Sequence, residues 1–552
     1  MTRAQLTAVQ DRDAHRKHNS EVRSCSSWYL CLAVLIGVLL LFALVRFRLK
    51  DMPLERDEGE YAYVAQVLLQ GLPPYQFVYS VKLPGIYAAY AAIVYVFGQS
   101  AAGIHLGLLL VNAATTILLF LVGKRVFGGL AALVAACSYA LLSVGANVNG
   151  VAAHASHFVV LFAIAGMWML FEALETGKSV LLFCAGMLFG LAFLMKQPGA
   201  VFTAWAVVYL VRRRWRRPMF WGALIGQLAA LLIGAALPFA ITCLLMLATG
   251  EFHNFWFWTF SYVRDYATAV PVKDGILLLS MFGSRIVQST PGIWLIALIG
   301  LSAFAWNACA RKGSFLTTSL LLFSFAGTSA GLYFRPHYFI LMLPAISLLA
   351  GIAISSATEK LATRGTILRA VPVLLFVVAF GSSLYLQRQV LFQMDPAEAS
   401  REIYPHNPFV EAVEVSKYIQ AHTRAGDTVA VLGSEPEIFF YSQRRSATGY
   451  IYVYPLLEPR DSALPMQKQM MQEIESSHPA MLVLMNVPAS WIAYRNIGSM
   501  EGILTWARKY IAENFVQDGV VEIGETTNYV WGEPARSYQP ETRLSIILFR
   551  RK

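Results

Sequence analysis

The sequence has little of the charge that a water-soluble domain carries on its surface. Of its 552 residues only 14% are charged, whereas a typical soluble protein carries about 25%. Hydrophobic residues make up 57% of the chain, and the mean hydropathy is +0.53. The scarcity of charge excludes an ordinary soluble globular protein and predicts a polytopic α-helical membrane protein.

Cysteine is also scarce. Six cysteines occur, at positions 25, 31, 137, 184, 243 and 309. None follows residue 309, so the C-terminal part of the chain holds no disulfide. No pair has the spacing of a metal site, so the sequence by itself supports no metal cofactor, and a divalent ion is left open rather than predicted.

Acidic residues are outnumbered by basic ones, 33 to 44, which gives a net charge of +11. The basic residues form short clusters between apolar runs, the positive-inside pattern of membrane proteins. We therefore expect no nucleic-acid partner.

Long apolar runs are abundant and predict about eleven membrane spans. The predicted spans are residues 28–45, 101–123, 129–147, 157–175, 179–195, 198–211, 218–248, 291–310, 314–333, 339–357 and 366–386. The basic loops place the N-terminus inside and the C-terminus outside. Residues 83–98 are apolar but too short for a span, so they are interpreted as an interfacial or re-entrant segment. No cleavage signal follows the first run, so it is expected to be retained.

Three regions follow from this pattern: residues 1–27 as a cytoplasmic tail, 28–387 as the transmembrane domain and 388–552 as an external α/β domain. In the last region the pattern predicts helices at Phe409–His422 and Leu504–Phe515 and strands at Thr428–Gly433 and Met481–Met485. A group of tyrosines and arginines in this region is interpreted as part of a packed surface, and a binding face is left open as the alternative. The group consists of Tyr441, Tyr450, Tyr452, Tyr454, Arg444, Arg445 and Arg460.

A dense charged loop, residues 55–62, follows the first span. Burying its charges in lipid would cost more than about 10 kcal/mol, so it must lie outside the hydrocarbon. The residues after it have helical periodicity, which places Asp57 and Glu58 at a helix N-terminus. An ordinary solvated first turn explains such carboxylates equally well when they stand alone.

The predicted sidedness brings many polar residues to the same external face of the membrane. Polar side chains at this level are by default candidates for a functional site. They are Asp57, Glu58, Lys82, His154, His157, Lys196, Arg335, His337 and Tyr338.

Three motifs resemble those of the GT-C membrane glycosyltransferases, in particular the branch with the lipid A aminoarabinose transferase and, more distantly, the protein O-mannosyltransferases. They are residues 56–62, Lys82-Leu83-Pro84 as a counterpart of a Lys-Pro-Pro motif, and residues 335–345, which begin Arg-Pro-His-Tyr. The likeness extends over most of residues 28–386. It implies a GT-C fold with interfacial helices in the first external loop.

The resemblance also implies a reaction. Such enzymes move a sugar, hexosyl or pentosyl, from a polyprenyl-phosphate carrier to a lipid, glycan or protein acceptor, usually with inversion. By resemblance Asp57 is the general base, with Glu58 as its neighbour or substitute. Lys82 and Arg335 are first choices for binding the donor phosphate, followed by Lys196, His337 and Tyr338. A snorkelling role is an equal alternative for Lys196.

The chain departs from these relatives in its second external loop, residues 151–157. Where they often carry a second acid, this chain has His154 and His157. These histidines are interpreted as phosphate, acceptor or metal ligands or, more simply, as structural residues of the bundle.

Two alternatives remain at this stage: a transporter or flippase for a lipid-linked sugar, and a non-catalytic scaffold of the same fold. The absence of repeats and of charges at mid-membrane weighs against the first. The retained Asp57, Glu58 and Lys82 weigh against the second. We expect a multi-pass protein of the bacterial inner membrane, surrounded by membrane lipids, with its site and C-terminal domain facing the periplasm.

Overall fold

A computed structural model describes residues 29–215, 221–458, 460–491, 497–524 and 526–552. The predicted cytoplasmic tail, residues 1–27, lies outside the described residues. So does part of the basic cluster after residue 211.

The N-terminal part of the chain is a helical bundle. Its helices are α1 Tyr29–Arg48, α2 Arg56–Leu69, α3 Pro84–Phe97, α4 Ala101–Phe127, α5 Gly129–Leu142, α6 Ala155–Thr176, α7 Ser179–Met195, α8 Ala200–Arg214, α9 Trp221–Ala248, α10 Phe252–Trp256, α11 Val263–Ala267, α12 Val272–Ser289, α13 Pro291–Trp306, α14 Ala308–Thr328, α15 Leu343–Ala362 and α16 Thr366–Leu386. Each of the eleven predicted spans coincides with one of them.

Within the described residues, six helices are long and apolar enough to cross a membrane, or seven if α12 and α13 form one bent span. Helices α3, α5 and α7 are apolar but shorter. The chain is thus a multi-pass membrane protein, as predicted. The number of eleven spans stays a prediction, because length and composition alone do not assign the shorter helices.

Helices α7 and α9 approach each other closely through glycine. A Cβ at Gly186 would lie 2.1 Å from the carbonyl oxygen of Leu231, and one at Gly234 would lie 2.1 Å from that of Phe183. Small residues that let two backbones approach are typical of helix packing in membranes.

Helix α12 was not predicted from the sequence. It is bent by 103° from α13, and its exposed apolar residues include Val272, Ile276 and Leu277. Charged residues such as Lys273 and Asp274 share the same helix. Because an amphipathic helix of this kind has no long apolar run, apolar runs in the sequence do not predict it. A helix with one apolar and one polar face is typical of a membrane surface.

The C-terminal part is an α/β domain, as predicted. Its helices are α17 Pro396–Ile403, α18 Phe409–His422, α19 Glu437–Ser442, α20 Tyr454–Leu457, α21 Ala463–Ser477, α22 Pro488–Trp491 and α23 Ile497–Asn514, and its strands are β1 Thr428–Leu432, β2 Arg445–Ser446, β3 Met481–Asn486, β4 Phe515–Glu522, β5 Asn528–Trp531 and β6 Ser545–Arg551. The six strands form one mixed sheet in the order β2-β1-β3-β6-β4-β5. The boundaries of the three predicted regions remain predictions.

This domain is docked on helix α2. The Arg56 guanidinium pairs with Glu435 at 2.9 Å and lies over the rings of Phe409 and Tyr454 at 5.5 and 5.6 Å. At Gly59 a Cβ would lie 2.6 Å from the backbone nitrogen of Glu437, so the contact requires glycine at this position. The C-terminal domain thereby fixes the start of the helix that carries the charged loop.

Candidate active site

Helix α2 begins with a capping box. The Glu55 carboxylate accepts a hydrogen bond from the Glu58 backbone N–H, and the Glu58 carboxylate accepts one from the Glu55 N–H. Such reciprocal bonds satisfy two backbone donors at the helix start. They fix Asp57, which lies between the two glutamates, with its side chain toward the cavity described below.

The two carboxylate oxygens of Asp57 have different neighbours. Lys82 Nζ donates a hydrogen bond of 2.8 Å to Oδ1. Oδ2 faces two imidazoles and lies 3.8 Å from His154 Nδ1 and 3.8 Å from His337 Nε2. Burial raises the pKa of Asp57, but the cations around it, Lys82 foremost, outweigh burial and hold that pKa well below its usual range. Asp57 is therefore a carboxylate at neutral pH.

Lys82 is held by the turn between α2 and α3. Its ammonium also donates to Tyr61 Oη at 3.3 Å, and its backbone carbonyl accepts from Tyr75 Oη at 2.7 Å. Two residues later α3 begins, and a Cβ at Gly85 would lie 2.6 Å from the Leu194 carbonyl oxygen, at the end of α7. The Lys82-Leu83-Pro84 motif thus places an ammonium beside Asp57.

The His154 loop is held by buried hydrogen bonds. Arg46 of α1 donates to the carbonyls of Ser143 and Gly150, each at 3.0 Å. Tyr90 donates to the Ala153 carbonyl at 2.7 Å. These contacts fix the backbone that presents His154 to Asp57, a role for Arg46 that the sequence did not reveal.

Glu58 is fully buried and does not line the cavity. Its carboxylate accepts from the Ala153 N–H at 2.5 Å and lies 3.1 Å from Nε2 of His105. The other ring nitrogen of His105 lies 2.7 Å from the carbonyl oxygen of Lys50. Both ring nitrogens face acceptors, so the His105–Glu58 pair holds one more proton than a neutral imidazole and a carboxylate. This geometry fits a structural role and not that of a substitute base.

His154 and His337 stack face to face, with ring centroids 4.0 Å apart. Burial lowers the pKa of His154 to about 4, against the opposing effect of Asp57. His154 Nδ1 has no hydrogen-bond partner among the described residues. At neutral pH His154 is thus a neutral imidazole with a ring nitrogen directed at the carboxylate.

Asp57, His154 and His337 could together hold a metal ion. One ligand atom from each lies within 4.8 Å of the others. Two neutral imidazoles and one carboxylate oxygen suit a transition-metal ion such as Zn²⁺, and the unpartnered Nδ1 of His154 fits this arrangement.

Other predicted residues lie around this core. Arg335 lines the cavity and donates to Tyr266 Oη at 3.4 Å. Lys196 lies 3.8 Å from the ring centroid of Tyr338, and burial together with Lys82 lowers its pKa well below the usual range. His157 is fully buried, and its ring nitrogens have no partner among the described residues. Lys196, Tyr338 and His157 do not line the cavity.

The cavity has a volume of about 460 Å³, and one of its walls is aromatic. That wall contains Tyr79, Trp258, Tyr262, Tyr266, Tyr452 and Tyr454. No local sequence pattern indicates that these distant residues meet, although Tyr452 and Tyr454 belong to the group left open above as a binding face. Arg444, in the same group, donates instead to backbone carbonyls within its own domain.

A second cavity, of about 1090 Å³, adjoins the first. The two share Tyr266, Arg335, Tyr454 and Glu458 in their linings. The second also touches Leu278 of α12 and Val270 just before it. Arg335 thus lies where a polar cavity beside Asp57 meets a larger space next to the amphipathic helix.

Part of the chain matches a known protein family. Residues 82–244 match the sequence model of a family described as dolichyl-phosphate-mannose-protein mannosyltransferase. The matched segment includes Lys82, His154 and Lys196. Comparison with curated protein sequences gives no match.

Solved structures show which class of fold the chain has. The resemblance to the GT-C membrane glycosyltransferases is confirmed at the level of the fold, together with the predicted additional C-terminal domain. One similar structure is ArnT from Cupriavidus metallidurans in the apo state, with a TM-score of 0.57 and 15% identity, covering 95% of this chain and 98% of that one. The same protein bound to undecaprenyl phosphate gives a TM-score of 0.56 at 15% identity, with coverage of 94% and 97%.

A third similar structure is the archaeal oligosaccharyltransferase AglB from Archaeoglobus fulgidus, in complex with an inhibitory peptide and a dolichol-phosphate. Its TM-score is 0.53 at 13% identity, and the alignment covers 90% of this chain and 74% of that one.

Proposed function

We propose that the chain is a membrane glycosyltransferase that moves a sugar from a polyprenyl-phosphate donor to an acceptor at the external face, with Asp57 as general base. The observation that carries the proposal is the Asp57 carboxylate, buried beside Lys82 at 2.8 Å in a cavity that Arg335 also lines. The matching family and the solved relatives that bind undecaprenyl phosphate or dolichol-phosphate support a lipid-linked donor.

The chemistry requires one base and a set of cations. In the proposed step the acceptor oxygen forms a bond to the anomeric carbon of the sugar while its proton passes to Asp57. The bond between the anomeric carbon and the donor phosphate oxygen breaks, and the lipid phosphate leaves with the electron pair. A single displacement of this kind inverts the anomeric centre. Lys82 and Arg335 stabilise the charge that develops on the phosphate.

In this step Lys82 interacts with both the Asp57 carboxylate and the donor phosphate. While it pairs with Asp57 it keeps the carboxylate a weak base. When a donor phosphate enters, the ammonium gains a second anion, and its hold on Asp57 weakens. Donor binding therefore raises the basicity of Asp57 when the acceptor needs it.

The two cavities suit the two ends of the donor. The smaller one has an aromatic wall on which a sugar ring can stack, and Glu55, Asp57 and Glu60 to bind its hydroxyls. The larger one reaches α12 and includes the apolar side chains of Val270, Leu278 and Leu457. In this arrangement the lipid enters beside α12, and its phosphate lies near Arg335, the boundary of both spaces. For localisation we propose the bacterial inner membrane, with this face toward the periplasm.

The test compares wild type, Asp57→Asn and Asp51→Asn at equal membrane levels in a strain that lacks the gene. Asp51 is a matched control because it lies just before α2 but is 60% exposed, and among the described residues its ion pair is with Lys50. Lipids and glycans of the envelope are compared by mass spectrometry. We expect a sugar-sized mass shift with wild type and Asp51→Asn and none with Asp57→Asn. Restoration of the product by Asp57→Asn would overturn the base assignment, and no product with wild type would favour the scaffold alternative.

A further inference from the structure

A third cavity, lined by charged residues, lies at the end of α6 opposite to His154. It has a volume of about 590 Å³, and the C-terminal ends of α4, α6 and α8 and the N-terminal end of α14 enclose it. His154 immediately precedes α6, whose 22 residues are about 33 Å long. The cavity is therefore about a membrane thickness away from Asp57, on the side where the basic loops place the cytoplasm.

Four cations from three helices line this cavity: Arg125 of α4, Arg212 and Arg213 of α8, and Lys312 of α14. Arg125 is already paired, since its guanidinium contacts Glu172 at 2.6 Å and Glu175 at 2.5 Å. Among the described residues, no carboxylate forms an ion pair with the other three. The cavity therefore carries excess positive charge, which an anionic group such as a phosphate would neutralise.

An apolar groove adjoins the cationic cavity. It has a volume of about 580 Å³ and is lined by Val207, Val208, Val211 and Trp215 together with Arg212 and Phe315. Arg212 and Phe315 also line the cationic cavity, and the guanidinium lies 5.5 Å from the centroid of that ring. The Arg212–Phe315 pair thus lies at the boundary between the cationic cavity and the apolar groove.

The cationic cavity and the adjoining apolar groove together indicate the chemistry of the ligand. A free anion would use the cationic cavity but would leave the groove empty. An apolar chain alone would fill the groove but would bring no anion to Arg213 and Lys312. An amphiphile with an anionic head and an apolar chain fills both, and Trp215, 73% exposed at the end of α8, is the kind of residue that lies at the headgroup level of a bilayer.

We propose that this is a binding site for an anionic phospholipid of the cytoplasmic leaflet. The phosphate of the headgroup binds Arg212, Arg213 and Lys312, and one acyl chain lies along Val208 and Val211 of α8. Basic pockets between transmembrane helices at this depth bind anionic headgroups. The lipid joins the end of α8 to the start of α14, two helices whose other ends carry the turn after Lys196 and the segment before Tyr338. The site is independent of the proposed transfer reaction.

The test uses the purified full-length protein and native mass spectrometry after exchange into defined lipid. The variant Arg213→Ala/Lys312→Ala removes two exposed cations of the cavity, and Arg364→Ala/Arg369→Ala removes two exposed cations elsewhere on the same face as a control. We expect phosphatidylglycerol to remain on the wild type and the control and to bind about 25-fold more weakly to the cavity variant, because each cation near an anionic lipid contributes about fivefold. Arg213→Lys, which keeps the charge, should retain the lipid.

Further binding experiments identify which molecule carries the phosphate group that binds. Phosphatidylcholine, undecaprenyl phosphate and inorganic phosphate are offered separately, and unfolding temperatures confirm that each variant is folded. Equal retention of phosphatidylglycerol by wild type and cavity variant would overturn the proposal. Cation-dependent binding of undecaprenyl phosphate without phosphatidylglycerol would also overturn it and assign the site to the carrier lipid. Saturation by inorganic phosphate at equal affinity would reduce the site to an anion pocket.

Discussion

The ammonium of Lys82 donates a 2.8 Å hydrogen bond to Oδ1 of Asp57 across 25 residues of sequence. Both side chains are largely buried, with 21% and 13% exposure, so water screens the pair only weakly. The contact therefore sets the charge state of the carboxylate that we propose as the base.

Replacing Lys82 with Met should lower kcat/KM by about 100-fold or more, because a fixed cation that stabilises the leaving phosphate is lost. The pKa of Asp57 should rise at the same time, since Lys82 is the chief group that holds it down. The acidic limb of the pH–rate profile then moves to higher pH. Lys82→Arg should recover part of the rate, and Lys273→Met, an exposed lysine of α12, serves as the control. An unchanged pH profile in Lys82→Met would contradict the pairing.

Glu58→Gln should destabilise the fold more than it changes the chemistry. The variant leaves His105 without its charged partner in a fully buried position, at a cost of about 3 kcal/mol. Thermal unfolding in detergent measures this loss, and the double variant with His105→Gln should lose less than the sum of the two single variants. Strict additivity would show that the two side chains do not act as a pair. Asp57→Asn, which removes the proposed base, is the comparison in which activity should be lost.

Protein stability should fall as the pH drops from about 6.5 toward 4, and His154 should contribute to this fall. Its pKa is lowered from 6.5 to about 4 in the folded protein. Between these values the unfolded chain binds a proton that the folded chain does not, so protonation favours unfolding. The unfolding temperature of His154→Asn should therefore depend less on pH across this interval than that of wild type. Parallel curves for the two proteins would contradict the assignment.

Zinc should bind the purified protein through Asp57, His154 and His337. Isothermal titration with Zn²⁺ after treatment with a chelator measures binding without any activity assay. His337→Ala should weaken it strongly, because two ligands hold such an ion far less tightly than three. His253→Ala, which changes an exposed histidine of α10, is the control and should bind as wild type does. Equal affinity in His337→Ala and wild type would exclude the three-residue site.

The sequence predicted most of the membrane architecture because that signal is local. Every span predicted from long apolar runs and basic loops overlaps a helix of the structure. In the C-terminal domain, the predicted helix Phe409–His422 has the same bounds as α18. Helix α12 was not predicted because its apolar run is short and charged residues such as Lys273 and Asp274 precede it. The bounds of the other predicted elements differ by several residues at most, as for Leu504–Phe515 against α23 at Ile497–Asn514.

The candidate site was predictable only in part. The motifs indicated Asp57, Lys82, Arg335 and His337, and the predicted sidedness added His154; the structure brings all five to one cavity. The aromatic wall comes from three segments far apart in the chain, and no local pattern marks residues that meet only after folding. The separation of Glu58 from the cavity likewise depends on a partner, His105, that lies 47 residues away.

The docking of the C-terminal domain on α2 also has a consequence for the order of synthesis. Asp57 leaves the ribosome early, but Glu435, Tyr452 and Tyr454, which hold its helix and line its cavity, follow almost 400 residues later. A nascent or truncated chain therefore contains every motif of the transmembrane part and still lacks a finished site. The cavity around Asp57 is therefore fully lined only after the C-terminal domain has been synthesised and has docked on α2.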